Sequence, residues 1–136
     1  MGLLSDMAAG SERRLIAARA VVGDAELRER CAALPPLPRL RLSAAGFDLI
    51  AELKLRSPAL GDLSAQTVDP VARLRGYAEA GAAICSILTE PSRFDGDLAH
   101  LRQAATTLAP YGVPVMRKDF LVDPYQVLEA RANGAG

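Results

Sequence analysis

The sequence predicts an α/β fold in which helices cover a parallel β-sheet. From residue 47 onward, short apolar runs alternate three times with patterns typical of amphipathic helices. The centres of these runs, Ile50, Ile87 and Met116, lie about 30 residues or more apart, a spacing that fits right-handed parallel strand–helix units. The runs are also apolar on both faces, as strands are when helices cover a parallel sheet.

The residues before this pattern predict a helical extension with a linker. Leu15 and Val22 lie two helical turns apart in a helical pattern. We expect a break before Asp24, with Asp24 capping a second helix, and the segment PPLPRL ends the helical pattern. The chain therefore divides into an extension and linker, residues 1–45, and an α/β part, residues 46–136.

The α/β part contains three strands, each followed by a helix. The strands are expected at FDLIAELKL, AAICSILTE and VPVMRKDF, and the helices at VDPVARLRGYAEAG, DLAHLRQAATTLAPYG and DPYQVLEARANG. The first of these helices has typical boundary residues, with Asp69 as its cap, Pro70 in the first turn and Gly81 beyond its end. The third helix repeats this pattern, so Asp123-Pro124 is interpreted as a helix start.

Two architectures are compatible with these units: an open doubly wound sheet and part of a (β/α)₈ barrel. The first strand is not followed by a G-x-G-x-x-G turn, which weakens a dinucleotide-binding interpretation. In a barrel, the active site lies at the C-terminal ends of the strands. Those ends are therefore where functional residues are expected.

Composition excludes several classes of protein. The formal net charge is zero, whereas a nucleic-acid binder needs a basic face. No stretch approaches the ~20 apolar residues of a membrane span, and the first residues lack a secretory signal pattern. The two cysteines, Cys31 and Cys85, have no metal-binding or redox spacing. We expect a cytoplasmic protein without nucleic-acid or membrane partners.

Polar and charged residues end all three strands. Positions i and i+2 of a strand point to the same face, so Glu52 and Lys54 share one face. The other polar residues at these ends are Ser57, Thr89, Glu90, Arg117, Lys118 and Asp119. Three such endings predict one polar site above an apolar floor. In the alternative interpretation, Glu52 and Lys54 form a structural ion pair at the end of the sheet.

Three segments, LIAELKLRSPALG, SILTEPSRFDGDLAHLR and VPVMRKDFLVDPYQVLEARANGAG, closely resemble indole-3-glycerol phosphate synthase. The resemblance covers about residues 46–136 and is weaker in the extension. It implies a TIM barrel and a lyase of tryptophan biosynthesis. The implied reaction converts 1-(2-carboxyphenylamino)-1-deoxyribulose 5-phosphate to indole-3-glycerol phosphate with loss of CO₂ and water. No metal or organic cofactor is implied, and the implied partner is a small phosphorylated substrate.

The resemblance also implies roles for individual residues. Lys118 matches the general acid for ring closure, a task that suits lysines whose pKa is lowered towards neutrality. Lys54 matches a lysine that contacts the substrate carboxylate and assists catalysis, and Glu52 matches a carboxylate that positions these groups. Ser57 and Phe94 match residues that contact the substrate. Two structural interpretations remain open: Ser57 as part of a turn, and Phe94 as a core residue under a loop.

The sequence departs from the family pattern in its loops. The segment EPSRF lacks the family's usual lysine, and Arg93 is the cation one position before Phe94. FDGD replaces the more usual F-x-G-S, and GDLSAQTVDP differs from the usual loop after the first strand. These changes leave the substrate range open.

Only the first three βα units of a barrel are expected within the chain, because a complete barrel has about 250 residues. We therefore expect a fragment with little or no activity alone, whose exposed sheet edges favour aggregation or self-association. Two alternatives remain. One is another phosphate-binding barrel, such as phosphoribosylanthranilate isomerase, although its Cys and Asp acid–base pair does not fit the two lysines here. The other is a non-enzymatic half-barrel that pairs with a partner chain.

Overall fold

The computed structural model of the chain describes residues 2–63 and 69–136. The chain divides into two compact units. The first comprises Met1–Pro35 and Phe120–Ala132, and the second comprises Pro36–Asp119 and Asn133–Gly136. The segment Phe120–Ala132, which the sequence assigns to the α/β part, thus groups with the N-terminal residues.

The second unit contains a three-stranded parallel sheet. In chain order its elements are β1 (Ile50–Leu53), β2 (Arg56–Ser57), β3 (Gly61–Asp62), α3 (Pro70–Glu79), β4 (Ile84–Leu88), α4 (Pro91–Phe94), α5 (Leu98–Leu108), a 3₁₀ helix (Ala109–Tyr111) and β5 (Val115–Lys118). The sheet has the order β1-β4-β5, and both pairings are parallel. The predicted parallel α/β arrangement of three strands is therefore confirmed.

Helix α3 begins and ends at the residues that the sequence indicates, whereas the helix predicted at DLAHLRQAATTLAPYG ends earlier, as α5 at Leu108, and a 3₁₀ helix follows it. The carboxylate of Asp69 accepts a hydrogen bond from the Ala72 N–H at 3.2 Å, and Pro70 is the first residue of α3. Gly81, just beyond the helix, has a φ of 87°, a left-handed conformation that favours glycine. Asp97 caps α5 in the same way as Asp69 caps α3, accepting from the Ala99 N–H at 2.6 Å. Side-chain caps of this kind satisfy the free N–H groups of a helix start.

Two elements of this unit were not predicted. Arg56–Ser57 and Gly61–Asp62 form a small antiparallel pair, β2 with β3, and Pro91–Phe94 forms the one-turn helix α4. Both lie in segments that have no strand or helix periodicity because they are too short to show one. The departing loop GDLSAQTVDP includes residues 64–68, which lie outside the described residues.

One face of the sheet packs against helices and forms the core. It contributes Leu53, Cys85, Ile87 and Val115, and the helices contribute Leu74, Leu101, Ala104 and Leu108. All of these side chains are buried. Because side chains alternate along a strand, Glu52, Ser86 and Lys118 lie on the opposite face. The fold therefore places these three polar residues on the face opposite this core, together with apolar residues of the same strands such as Ile84 and Leu88.

The first unit is helical, with α1 (Leu3–Val21), α2 (Asp24–Ala33) and α6 (Tyr125–Ala132). Leu15, Leu27 and Tyr125 form its buried apolar cluster. Among the described residues, no helix has both the length and the apolar character needed to cross a membrane.

The predicted helix boundaries in this unit are partly corrected. Asp24 does not cap α2, because it is the first helical residue and Gly23 occupies the cap position without a side-chain bond. The carboxylate of Asp24 instead accepts from Arg19 Nε at 2.7 Å. Asp123 does mark a helix start, since its carboxylate accepts from the Tyr125 N–H at 2.8 Å.

Candidate active site

The face of the sheet opposite the core brings together the three residues with predicted catalytic roles. Glu52 lies on β1 and Lys118 on β5, with β4 between these strands. Lys118 Nζ lies 2.7 Å from Glu52 Oε2, and Lys54 Nζ lies 3.1 Å from Glu52 Oε1. Each oxygen of one carboxylate thus contacts a different ammonium group. A charge-assisted arrangement of this kind fixes the carboxylate in its ionised form.

The electrostatics of Glu52 agree with this geometry. Burial by itself raises the pKa of this carboxyl group, but hydrogen bonds and charge attraction from Lys118 and Lys54 outweigh burial, so the pKa lies below its ordinary value. Ser86 of β4 also donates from its hydroxyl to Glu52 Oε2 at 3.4 Å. The ionised carboxylate therefore has partners on β4 and β5 and one, Lys54, just after its own strand β1.

The three side chains remain accessible to a small molecule. The side chain of Lys118 is 52% exposed, that of Lys54 32% and that of Glu52 26%. Below the site, the Tyr77 hydroxyl donates to the Glu52 carbonyl oxygen at 3.2 Å, which ties β1 to α3. The arrangement combines a fixed backbone with ammonium groups that a ligand can reach.

The two residues with predicted substrate contacts lie on neighbouring elements. Ser57 belongs to β2 and Phe94 ends α4, and these elements contact each other. Ser57 is buried and its hydroxyl accepts from the Ala59 N–H at 3.3 Å, a bond typical of a turn. Phe94 is half-buried. An ion pair between Arg56 and Asp95, at 3.4 Å, joins the same two segments. The contact of Ser57 and Phe94 with a substrate stays a prediction.

Glu90 caps a helix, a role that the strand endings did not predict. It is buried, and its carboxylate caps α4 by accepting from the backbone N–H groups of Ser92 and Arg93 at 2.9 and 2.7 Å. The one-turn helix that it caps was not recognised from the sequence. The signal that could have found it is the Glu90-Pro91 pair, an acceptor followed by a proline suited to a first helical turn.

Thr89, Arg117 and Asp119 contact one another at the ends of β4 and β5. Arg117 Nε donates to Thr89 Oγ1 at 3.1 Å, Arg117 Nη2 lies 3.1 Å from Asp119 Oδ2, and Thr89 Oγ1 donates to Asp119 Oδ2 at 2.9 Å. The side chains of Arg117 and Asp119 are 5% and 0% exposed. Strand alternation could have separated them from Lys118, since neighbours in a strand point to opposite faces.

The site is built from carboxylate, ammonium and hydroxyl groups. Within residues 2–63 and 69–136, no three His, Cys, Asp or Glu side chains form a group that could hold a metal ion. The described groups can donate protons, accept them and bind an anion, because ammonium groups supply both charge and N–H donors.

Comparison with known proteins identifies the family of the chain. Residues 7–136 match the family described as indole-3-glycerol phosphate synthase. A protein of that name from Nocardioides sp. is 45% identical over 139 residues, covering 99% of this chain and 51% of the relative. Proteins of the same name from Arthrobacter sp. and Saccharopolyspora erythraea are 42% and 41% identical, each covering 99% of this chain.

The chain spans about half the length of these curated relatives, with 51% and 49% of the last two covered. The resemblance inferred from the strand-end motifs is confirmed, since the family match extends over nearly the whole sequence. The chain belongs to the indole-3-glycerol phosphate synthase family.

Proposed function

We propose that this chain carries part of the active site of an indole-3-glycerol phosphate synthase. The reaction closes the ring of 1-(2-carboxyphenylamino)-1-deoxyribulose 5-phosphate and releases CO₂ and water. The observation that carries the proposal is the Glu52 carboxylate held between Lys54 and Lys118 at the ends of parallel strands. Family membership supports the same conclusion.

The proposed roles follow the chemistry of each step. The aromatic carbon that bears the carboxylate attacks the ketone carbon, and the ammonium of Lys118 donates a proton to the ketone oxygen, which becomes a hydroxyl. Loss of CO₂ restores the aromatic ring. That hydroxyl then leaves as water with a further proton transfer, which forms the indole. General acid catalysis of this kind contributes about 10²- to 10⁴-fold in rate.

Lys54 and Glu52 are proposed to support Lys118. Lys54 is proposed to bind the substrate carboxylate, because an ammonium group offers charge and three N–H donors. Glu52 keeps its charge over a wide pH range because its pKa is lowered. Contact with the Glu52 carboxylate is proposed to hold the Lys118 ammonium group in position. Ser57 and Phe94 are proposed to contact the substrate from the segments after β1 and β4.

We further propose that the three strands are the first three of a (β/α)₈ barrel in the cytoplasm. The parallel order β1-β4-β5 supports this architecture, as does membership of the family. A barrel has eight strands and places its active site at their C-terminal ends. The proposed partner is a small phosphorylated substrate, and neither nucleic acid nor a membrane is proposed as a partner. On this proposal the 136-residue chain has little or no activity alone.

The test is turnover in a chimaera. Residues 1–136 are joined to the second half of the Nocardioides sp. relative, and formation of indole-3-glycerol phosphate is measured beside the 136-residue chain alone. We expect turnover by the chimaera, with Lys118→Met lowering kcat by about 10²-fold or more. Arg28→Met, which changes an exposed residue of α2, is the control. A folded chimaera without turnover, or one unaffected by Lys118→Met, contradicts the proposal.

Self-association is a second candidate function, favoured by the exposed start of β1. Phe47, Leu49 and Ile50 are 81%, 53% and 63% exposed, and β1 is an edge strand of the described sheet. Unpaired edges and apolar patches promote pairing between chains. Sedimentation of the 136-residue chain tests this candidate: a discrete soluble oligomer supports it, and a monomer or amorphous aggregate contradicts it.

A further inference from the structure

We propose that Thr89, Arg117 and Asp119 are positioning residues that hold the backbone of Lys118 so that its ammonium group reaches Glu52. This inference rests on the proposed function, because it concerns the same site. The three residues are called the Thr89 cluster below. None of them is proposed to touch the substrate.

The first argument is where the Thr89 cluster lies relative to Lys118. Arg117 and Asp119 are the two chain neighbours of Lys118, and both contact Thr89, the residue that follows β4. The Thr89 N–H also donates to the Lys118 carbonyl oxygen at 3.0 Å. The backbone at Lys118 is therefore tied to the end of β4 directly and through the side chains on both sides.

The second argument is the burial of charge. The Arg117 and Asp119 side chains are 5% and 0% exposed, so both charges have lost most of their contact with water. A buried ion pair is weak support for stability, since apolar residues of similar volume are often as stabilising, and its better use is to specify one geometry. Here the geometry specified is that of the end of β5.

The third argument is the length of the lysine side chain. Its four-carbon stem is flexible, and ordering such a side chain costs up to about 2 kcal/mol of rotamer entropy. A contact of 2.7 Å to Glu52 therefore depends on a fixed backbone at Lys118. A displacement of about 1 Å at a catalytic group can cost 10²-fold in rate.

The direct readout is the pKa of the Glu52 carboxyl group, measured by ¹³C NMR titration of the whole 136-residue chain. The described charged groups in contact with Glu52 are Lys54, just after β1, and Lys118 of β5. In addition, β4 contributes the Ser86 hydroxyl, and Tyr77 of α3 contacts the backbone carbonyl of Glu52. Loss of the Lys118 contact therefore raises the pKa of Glu52. The variant Lys118→Met sets the upper limit of that rise.

We expect Thr89→Val and Asp119→Asn each to raise the pKa of Glu52 part of the way towards the Lys118→Met value. Both substitutions keep side-chain volume, and Thr89→Ser, which keeps the hydroxyl, is expected to restore the parent value. Arg102→Met is the matched control, because Arg102 lies on α5 and donates to Asn133 Oδ1 at 2.8 Å, a side chain outside the Thr89 cluster. It is expected to leave the pKa of Glu52 unchanged.

Turnover of the chimaera supplies the second readout. Thr89→Val and Asp119→Asn are expected to lower kcat by roughly 10- to 100-fold, with a smaller change in KM. The inference is overturned if folded Thr89→Val and Asp119→Asn lower stability but keep the parent pKa of Glu52, or if Glu52 titrates at its ordinary value in the parent chain. If either Thr89→Val or Asp119→Asn does not fold, the pKa of Glu52 in the other variant decides whether the inference holds. If the chimaera shows no turnover but the variants change the pKa of Glu52 as expected, the result contradicts the proposed function and leaves the positioning role supported.

Discussion

Nζ of Lys118 lies 2.7 Å from Oε2 of Glu52, although 66 positions separate these residues in the chain. The contact joins the outer strands of the three-stranded sheet and provides one of the two ammonium groups beside Glu52. The lowered pKa of this carboxyl group links the contact to protein stability. Stability and its pH dependence can therefore be used to examine the site without a substrate.

Glu52→Gln is expected to destabilise the folded chain near pH 7, and the difference should shrink as the pH falls. The pKa of Glu52 is lowered from its ordinary value of 4.5, so its contribution is fully present above that value. The contribution is lost as the pH falls through the lower folded-state pKa. Urea denaturation of parent and variant across this range measures the difference. Glu29→Gln, at an exposed position of α2, is the control, and a constant difference for Glu52→Gln across the range would falsify this interpretation.

Gly96→Ala is expected to destabilise the chain by about 1–3 kcal/mol. A Cβ at Gly96 would lie 2.6 Å from the carbonyl carbon of Thr89, and 2.7 Å from both Glu90 N and Leu88 O. These are backbone atoms at the end of β4 and cannot move aside without disturbing the strand. Gly76→Ala is the matched control, because no atom lies within 4 Å of its added Cβ. At that helical position alanine is expected to stabilise by about 0.5–1 kcal/mol, and equal effects of the two variants in urea denaturation would contradict the argument.

Ser11→Ala is expected to destabilise the helical unit by about 1–3 kcal/mol. Gln126 Nε2 donates to Ser11 Oγ at 2.8 Å, and both side chains are almost fully buried. The substitution removes the acceptor of this bond, in a place where water does not replace it. Ser5→Ala, at an exposed position of the same helix, is the control and should change stability little. If urea denaturation shows a similar small change in the free energy of unfolding for both variants, the buried hydrogen bond contributes little to stability.

The two cysteines are expected to react with thiol reagents at very different rates. Burial raises the pKa of the Cys85 thiol to about 11, and this residue is 0% exposed within β4. Cys31 is half-buried on α2, and its Sγ lies 3.2 Å from the Leu128 carbonyl oxygen. Because the thiolate is the reactive form, peptide mass spectrometry should find Cys31 modified first and Cys85 only after unfolding. Cys31→Ser should abolish the early reaction, and early modification of Cys85 in the folded chain would contradict its placement.

The sequence predicts the parallel sheet because several local signals agree there. Asp69 and Gly81 delimit α3, and the apolar runs have the length and spacing of strands, so propensity and pattern lead to the same result. Strand lengths are less well predicted: FDLIAELKL suggests nine residues, but β1 is Ile50–Leu53. Apolar residues continue beyond those that form hydrogen bonds to the neighbouring strand, so an apolar run does not define where the strand begins or ends.

The candidate site also contains residues whose grouping can be predicted from the sequence and residues whose role cannot. Glu52, Lys54 and Lys118 could be grouped because strand alternation and the family motifs assign them one face. The capping role of Glu90 could not be recognised without α4, since the role depends on backbone groups that a one-turn helix presents. Asp24 illustrates the opposite error: aspartate suits both a cap and a first helical turn, and its contact with Arg19 favours the second.

The order of the strands has a consequence for how the site assembles. The strands that carry Glu52 and Lys118 are two strand spacings apart, roughly 9.6 Å. The register aligns Glu52 with Ser86 and Met116 and places Lys118 two positions further along β5, so the two long side chains meet across β4. This contact requires both parallel pairings, β1 with β4 and β4 with β5. A folding intermediate that lacks either pairing therefore has no assembled site, and the ion pair reports that the strands have joined in the correct order.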